Sequence, residues 1–377
     1  MLNSTRPRPN AGVLNKAQKL SDILPSFILG GSGWSYQVHP NPDKDLVLSI
    51  VKGAFDMGVH AIDTSPYYEP SEQLLGDALS QAEFVAKYPR QDYILMTKVG
   101  RIAATKFDYS PEGIRQSVRR SMERLKTDYL DVVFCHDIEY VTNEEAAEAI
   151  GILLEFVQQG KIRFVGASGY RIDLLIELAH QVMSRYGRPL DVIQNWGQMT
   201  LQNMRLETEG LDAFKAAGIQ CVCNSSPLAL GLLRSADVPR GAKGDFHPAP
   251  TDLKDVVRTA ARYVASQEED LAALALRYAI RRGYLASSPH FRVCTISGVS
   301  SPVELSKNII VARQVAQEFS DVLKVEHSQA SNRSLFQKDA VLCDKVKEIL
   351  GPWMNYSFRS PEIGWDIHLK CMHQVKP

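Results

Sequence analysis

Five polar residues each close a short apolar run: Asp63, Lys98, His136, Ser168 and Gln194. A tyrosine, Tyr68, follows Asp63 in the next loop. One polar residue at the end of an apolar run is commonplace, because strand ends meet water. An acid, a cation and an imidazole at successive ends form a set with a chemical meaning. A tyrosine hydroxyl ionises near pH 10, too high for easy proton transfer at neutral pH. A nearby cation favours the phenolate, so Lys98 is expected to bring Tyr68 towards a useful range. Asp63 would hold Lys98 by an ion pair, and His136 would position a substrate oxygen by a hydrogen bond. Such a set can move the proton that travels opposite a hydride when an alcohol and a carbonyl interconvert. It needs no metal, and a cofactor must exchange the hydride.

These side chains act together only if their elements converge. Strands are expected at 27–31, 60–64, 93–98, 129–136, 162–168, 190–195, 219–224 and 293–297. Helical stripes lie between them. Ile114, Val118, Met122 and Leu125 recur at spacings of four, four and three after the start signal Ser110-Pro111-Glu112. Ile150, Leu153, Leu154 and Val157 form a second stripe, and Leu174, Leu175, Leu178 and Val182 a third. Strands alternating with helices indicate right-handed βαβ units and a parallel sheet. Eight such units imply an α/β fold, a single (β/α)8 TIM barrel over 27–327, whose chemistry sits at the carboxyl ends of the strands. The segment 233–290 reads as a long insertion before the last strand, with helices near 253–265 and 268–281. Residues 328–377 read as a tail packed on the barrel, with a helix at 338–350. Residues 1–26 read as a flexible segment. Basic residues and the lack of acids before Asp22 faintly suggest a transit peptide, but Pro7 and Pro9 interrupt any helix there.

Composition narrows the class. The chain has 377 residues, 43 basic and 43 acidic side chains, and is 45% hydrophobic. Zero formal charge argues against nucleic-acid binding, and no apolar run reaches the ~20 residues that span a bilayer. The six cysteines are scattered without metal-ligand spacing, which favours a reduced, cytoplasmic protein. His136 alone reads more often as a core histidine. Asp137 and Glu139 beside it invite a metal, but no second histidine stands at ligand spacing, so none is expected. Tyr67 and Tyr68 are adjacent, and either could simply pack beneath a loop.

The segment Asp63-Thr64-Ser65-Pro66-Tyr67-Tyr68, with Glu72 and Gly76, resembles the signature of the aldo-keto reductases. Met96-Thr97-Lys98, Phe134-Cys135-His136-Asp137, Gly166-Ala167-Ser168, the run from Ser226 to Leu233 and Gly298-Val299-Ser300-Ser301 follow in that family's order. Within it, His136-Asp137-Ile138-Glu139 and Ser225-Ser226-Pro227-Leu228-Ala229 are similar to the branch that oxidises L-galactose or D-arabinose at C1. The resemblance implies that Asp63, Tyr68, Lys98 and His136 form the catalytic tetrad, with Tyr68 moving the proton. It implies a nicotinamide cofactor held by Ser168, Gln194, Ser226, Leu228, Gly231, Gly298, Ser300, Glu304 and Asn308. Gly169 departs from the family's usual asparagine, and Ser225 from its stacking aromatic ring.

Charge selects between the two nicotinamide cofactors. NADP-selective members carry a lysine where this chain has Gly298 and an arginine where it has Glu304. A carboxylate there would repel a 2′-phosphate and suit the ribose hydroxyls, so NAD is expected over NADP. Ser301 to Glu304 also reads as a helix capping box. A small polar aldose is the implied substrate, with Trp34, Tyr67, His136 and Trp196 around it and Trp353 and Trp365 closing the mouth. A monomer or weak dimer is expected, with no nucleic-acid or membrane partner. An NADPH-dependent carbonyl reductase and a non-catalytic nicotinamide-binding subunit are the competing readings.

Overall fold

A computed structural model describes residues 18–235, 247–323 and 330–372. Eight strands close a parallel barrel: Phe27–Gly30 (β1), Ala61–Asp63 (β2), Ile94–Val99 (β3), Leu130–His136 (β4), Ile162–Gly169 (β5), Val192–Trp196 (β6), Cys221–Ser225 (β7) and Arg292–Gly298 (β8). Each strand expected from the sequence is present, with ends that differ by a residue or two. Between β1 and β7 the helices Lys44–Asp56 (α1), Ser71–Leu79 (α2), Pro111–Leu125 (α3), Asn143–Gln158 (α4), Ile172–Tyr186 (α5) and Leu211–Ala216 (α6) alternate with the strands, and a further short helix, Ala82–Lys87, follows α2. Thr251–Ser266 (α7) and Leu271–Ala286 (α8) follow β7, and Pro302–Leu323 (α9) and Ala330–Leu350 (α10) follow β8.

Local chemistry explains the boundaries. Ser110 accepts the Gly113 N–H at the head of α3, with Pro111 in the first turn. Thr142 and Glu145 form a reciprocal capping box at the head of α4. The expected stripes turn inward: Ile114, Val118 and Leu125 are buried, as are Ile150, Leu153, Leu175, Leu178 and Val182. Gly76 has a packing reason. A Cβ there would lie 1.9 Å from the Arg124 carbonyl oxygen, so α2 and α3 touch backbone to backbone only because the side chain is absent.

Alternation along the strands builds the barrel interior. Ile28, Ala61, Ile94, Met96, Val132, Phe134, Phe164, Val192, Cys221, Cys223, Cys294 and Ile296 share one buried cluster. Leu20 and Leu24 belong to it too, because the short helix Leu20–Ile23 plugs its floor. That corrects the expectation of a flexible segment through residue 26 for its last residues; 1–17 lie outside the described residues. Burial of two leucines in the barrel floor outweighs the entropy of fixing that turn.

The long insertion is also corrected. The helix α8 packs on β8 and α9 and completes the crossover that a parallel strand requires, leaving α7 as the extra element. Most of the glycine- and charge-rich stretch 241–247 lies outside the described residues. The tail helix α10 starts earlier than expected and is held by ions. Arg277 Nε and Nη2 each lie 2.8 Å from Asp339. Arg281 donates to Glu318 at 2.8 Å and to Asp339 at 2.9 Å, and Asp339 is fully buried.

Gly76→Ala is expected to destabilise the protein by about 1–3 kcal/mol or more, because backbone, unlike a side-chain tip, cannot give way. A drop in the urea midpoint with an unchanged slope would show it; an unchanged midpoint would mean that the helices separate freely.

Candidate active site

Strand register assembles the site. His136 on β4 pairs with Ser168 on β5, and Ser168 with Gln194 on β6. Neighbours at one level of a parallel sheet point the same way, so these three form a polar row above Phe134 and Val192. Asp63 and Lys98 top the inward rows Ala61–Asp63 and Ile94–Met96–Lys98 on β2 and β3. Asp63, Lys98, His136 and Ser168 are each the last inward position before the loop, while on β6 Trp196 follows Gln194 on the same face.

Lys98 Nζ donates to Asp63 Oδ2 at 2.7 Å and to the Thr64 carbonyl at 2.9 Å. The pair is almost wholly buried, at 1% and 3% exposure. Burial opposes the Lys98 charge, yet attraction to Asp63 outweighs it and the ammonium pKa rises. Burial raises the Asp63 carboxyl as well, against the pull of Lys98. Tyr68 ends the short 3-10 turn Pro66–Tyr68, which carries its ring to 4.9 Å from Lys98 Nζ. Burial pushes the Tyr68 hydroxyl up to about 12, against the field of Lys98. Lys98 does pull it down, as expected, but in the free protein desolvation outweighs that pull, and Asp63 offsets part of it.

His136 is buried and held neutral, its pKa pulled down to about 3 by desolvation. Its Nδ1 lies 3.1 Å from Ser65 Oγ and its Nε2 3.5 Å from Asp137 Oδ2. The rings of Tyr67 and Tyr68 each sit 5.9 Å from it. Asp137, in a left-handed conformation with φ of 55°, also pairs with Arg101. Burial alone would raise the Asp137 carboxyl, but the Arg101 guanidinium, with Lys98 nearby, helps hold it down. Arg101 lies over the Tyr67 ring at 4.1 Å.

Of the expected substrate walls, Tyr67 and His136 meet. Trp196 instead stacks on Tyr170 and Phe358. Trp34 is buried beside a cavity of about 60 Å³ lined by Gly33, His39, Asp43 and Ser300, and among the described residues no ring contact joins it to Tyr68 or His136. Trp365 packs on Tyr140 and Phe107, and Trp353 on Tyr356. The tail crosses the mouth through other groups: Ser360 Oγ donates to Glu139 at 2.9 Å and Tyr140 donates to Glu362 at 2.9 Å.

Among the residues expected at the cofactor, Ser168 Oγ and Gln194 Oε1 are buried without a hydrogen-bond partner among the described residues. The loop after β7 holds left-handed backbone at Ser226, Ala229 and Leu230 as well as Gly231; Leu228 ends the tight turn between them. Such conformations cost about 1–3 kcal/mol each at non-glycine residues and mark functional loops. Gly298 is exposed at the end of β8. Glu304 Oε2 accepts from the Ser300 N–H at 2.8 Å and Oγ at 2.7 Å, while Ser301 Oγ accepts the Glu304 N–H at 3.2 Å. The cap therefore reaches back to residue 300 rather than 301. Asn308 donates to Ser297 Oγ at 3.2 Å.

Sequence reasoning missed Arg101, Ser65 and Arg234, whose guanidinium lies 3.5 Å from Glu304. Ser65 carried a signal, a serine before proline at the head of a turn. The arginines carried none, since loop arginines are usually solvated.

A closed parallel barrel with a buried ion pair, a tyrosine and a neutral histidine at its carboxyl-end mouth is the architecture of a (β/α)8 enzyme. The chain belongs to the aldo/keto reductase family, whose model matches residues 27–326. It is 38% identical over 288 residues to D-arabinose 1-dehydrogenase of Saccharomyces cerevisiae, covering 76% of this chain and 82% of that one. It is 30% identical to L-galactose dehydrogenase of Arabidopsis thaliana, covering 82% and 88%. The fold is similar to that of the solved holo aldo-keto reductase AKR11C1 from Bacillus halodurans, with TM-score 0.58 at 23% identity, over 84% of this chain and 92% of that one.

Lys98→Met is expected to destabilise by about 3–5 kcal/mol, because it strands a buried carboxylate. Adding Asp63→Leu should recover most of that loss. Denaturant unfolding of the two single variants and the double variant checks this; additive losses would show that the pair is not coupled.

Proposed function

We propose that the protein oxidises an aldose of the L-galactose or D-arabinose type at C1 to its aldonolactone, with NAD as cofactor. The convergence of Tyr68, the Lys98–Asp63 pair and neutral His136 on one mouth carries this reading. The names of the two sugar-dehydrogenase relatives support the substrate class.

The residues present fit a nicotinamide. A carboxamide brings one acceptor and two donors, and Ser168 Oγ and Gln194 Oε1 are a hydroxyl and an amide oxygen with unused capacity. Ser226 and Leu228 would offer backbone amides to the pyrophosphate with Gly231 shaping the loop around it, and Gly298, Ser300, Glu304 and Asn308 would meet the adenosine end. When bound, the nicotinamide supplies the hydride acceptor. His136 donates a hydrogen bond to the sugar oxygen and orients C1. Tyr68, ionised to a phenolate that Lys98 steadies, takes the proton of the anomeric hydroxyl as general base and returns to the phenol, while Asp63 fixes Lys98 in place. The tail over Glu139 and Tyr140 narrows the mouth and excludes water.

Glu304 argues for NAD, since its carboxylate would repel a 2′-phosphate. The NADPH-linked carbonyl reductase reading has one observation in its favour, the guanidinium of Arg234 beside Glu304. Their charges oppose each other, which leaves no net attraction for the phosphate.

Initial rates with NAD and NADP on D-arabinose, L-galactose, L-fucose and D-galactose test the proposal. The first three should reduce NAD, and Tyr68→Phe should lose about 10²–10⁴-fold in kcat. NADPH oxidation by simple aldehydes without sugar turnover would overturn the sugar assignment in favour of the reductase. Cofactor binding without turnover of either kind would favour the regulatory reading.

The pH profile has a defined sign. Tyr68 starts protonated, so its phenolate fraction and the rate of sugar oxidation should rise between about pH 7 and 10. His136 is already neutral throughout that range and down to about pH 5, so it should add no acidic limb. An ionisation near pH 6.5 that disappears in His136→Gln would contradict this.

A further inference from the structure

We infer that Ser65 is a positioning residue that sets the tautomer of His136, leaving its proton on Nε2, the nitrogen that must donate to a substrate oxygen. The role given to Nε2 rests on the proposed oxidation; the tautomer itself does not.

Hydrogen-bond accounting leads there. Ser65 is fully buried, and its hydroxyl has one proton and two lone pairs. One lone pair accepts the Tyr67 N–H at 3.1 Å, which caps the turn carrying Tyr68. The proton remains, and among the described residues the acceptor paired with it is His136 Nδ1 at 3.1 Å. A hydroxyl that donates to Nδ1 requires that nitrogen to be bare, so a neutral imidazole must carry its proton on Nε2. The opposite side agrees: Nε2 faces the Asp137 carboxylate at 3.5 Å, an acceptor that favours N–H over a lone pair.

The remaining surroundings do not reverse the assignment. Tyr67 and Tyr68 meet the imidazole through their rings, at 5.9 Å each. Tyr109 donates to the His136 main-chain oxygen at 2.7 Å and leaves the ring untouched. Lys98 and Arg101 add positive field, which disfavours the doubly protonated ring. One serine thus orders two parts of the site: it starts the turn that presents Tyr68 and orients the imidazole beside it.

Long-range ¹H–¹⁵N correlation spectra of the free protein read the tautomer directly, with the His136 signals identified by their loss in His136→Gln. The wild type should show a protonated Nε2 and a bare Nδ1. Ser65→Ala should move both nitrogens towards the average of two tautomers, and Ser65→Thr should restore the wild-type pattern. In sugar oxidation, Ser65→Ala should lower kcat about tenfold or more with a smaller change in KM for the cofactor, and Ser65→Thr should recover it. A protonated Nδ1 in the wild type overturns the inference, and needs no variant to fold. So do spectra unmoved by Ser65→Ala. The expected spectra together with no sugar turnover would uphold the tautomer and overturn the aldose reading alone.

Discussion

An ammonium and a carboxylate stand 2.7 Å apart at the top of an apolar barrel, sealed from water. Each charge alone would cost several kcal/mol to bury, so Asp63 and Lys98 are stable there only as partners. The surroundings reflect that constraint. The Thr64 carbonyl takes a second ammonium proton, and Gln194 leans towards the same carboxylate at 3.4 Å. Met96 and Ala61 fill the layer beneath, which keeps water out from below. The same seal keeps water from Tyr68, and this burial, with Asp63 offsetting part of the cation's pull, lets the hydroxyl keep its proton tightly in the free protein.

The site is a rim of short loops tied together by polar contacts rather than a pit in one element. The turn after β2 carries Tyr68, and Ser65 links that turn to β4. Asp137 joins β4 to Arg101 in the loop after β3. Glu139 takes the Tyr170 N–H at 2.8 Å after β5 and the Ser360 hydroxyl from the tail. Burial and the nearby Asp137 push the Glu139 carboxyl up to about 7. A Cβ on Gly169 would lie 2.4 Å from Glu139 Oε2. The departure from the family's asparagine at that position therefore has a physical counterpart: the carboxylate fills the space the side chain would need.

Much of the site was legible in the chain because the barrel turns a one-dimensional rule into a three-dimensional one. Period-two alternation, with a polar residue at or near the last inward position, places Asp63, Lys98, His136, Ser168 and Gln194 at one end of the barrel. No knowledge of the closure angle is needed for that. The start of α3 was legible for a similar reason, since Ser110 acts on backbone three residues away. Local rules of this kind are written in sequence order.

Tertiary structure decided whatever depends on partners distant in sequence. Arg277 and Arg281 stand four residues apart with no acidic partner on their own helix, yet Asp339 and Glu318 draw them into a buried cluster that docks α10. Leu20 and Leu24 read as part of a loose leader until the barrel floor offers them an apolar hole. Trp34 and Trp196 read as sugar-facing walls, but an aromatic ring goes wherever it buries most surface, and neighbouring rings and core claimed them. Even the acidity of Tyr68 belongs here. Motif spacing names the charged residues of its site, while the fold alone sets how close they stand and how little water reaches the hydroxyl, and desolvation outweighs the charge.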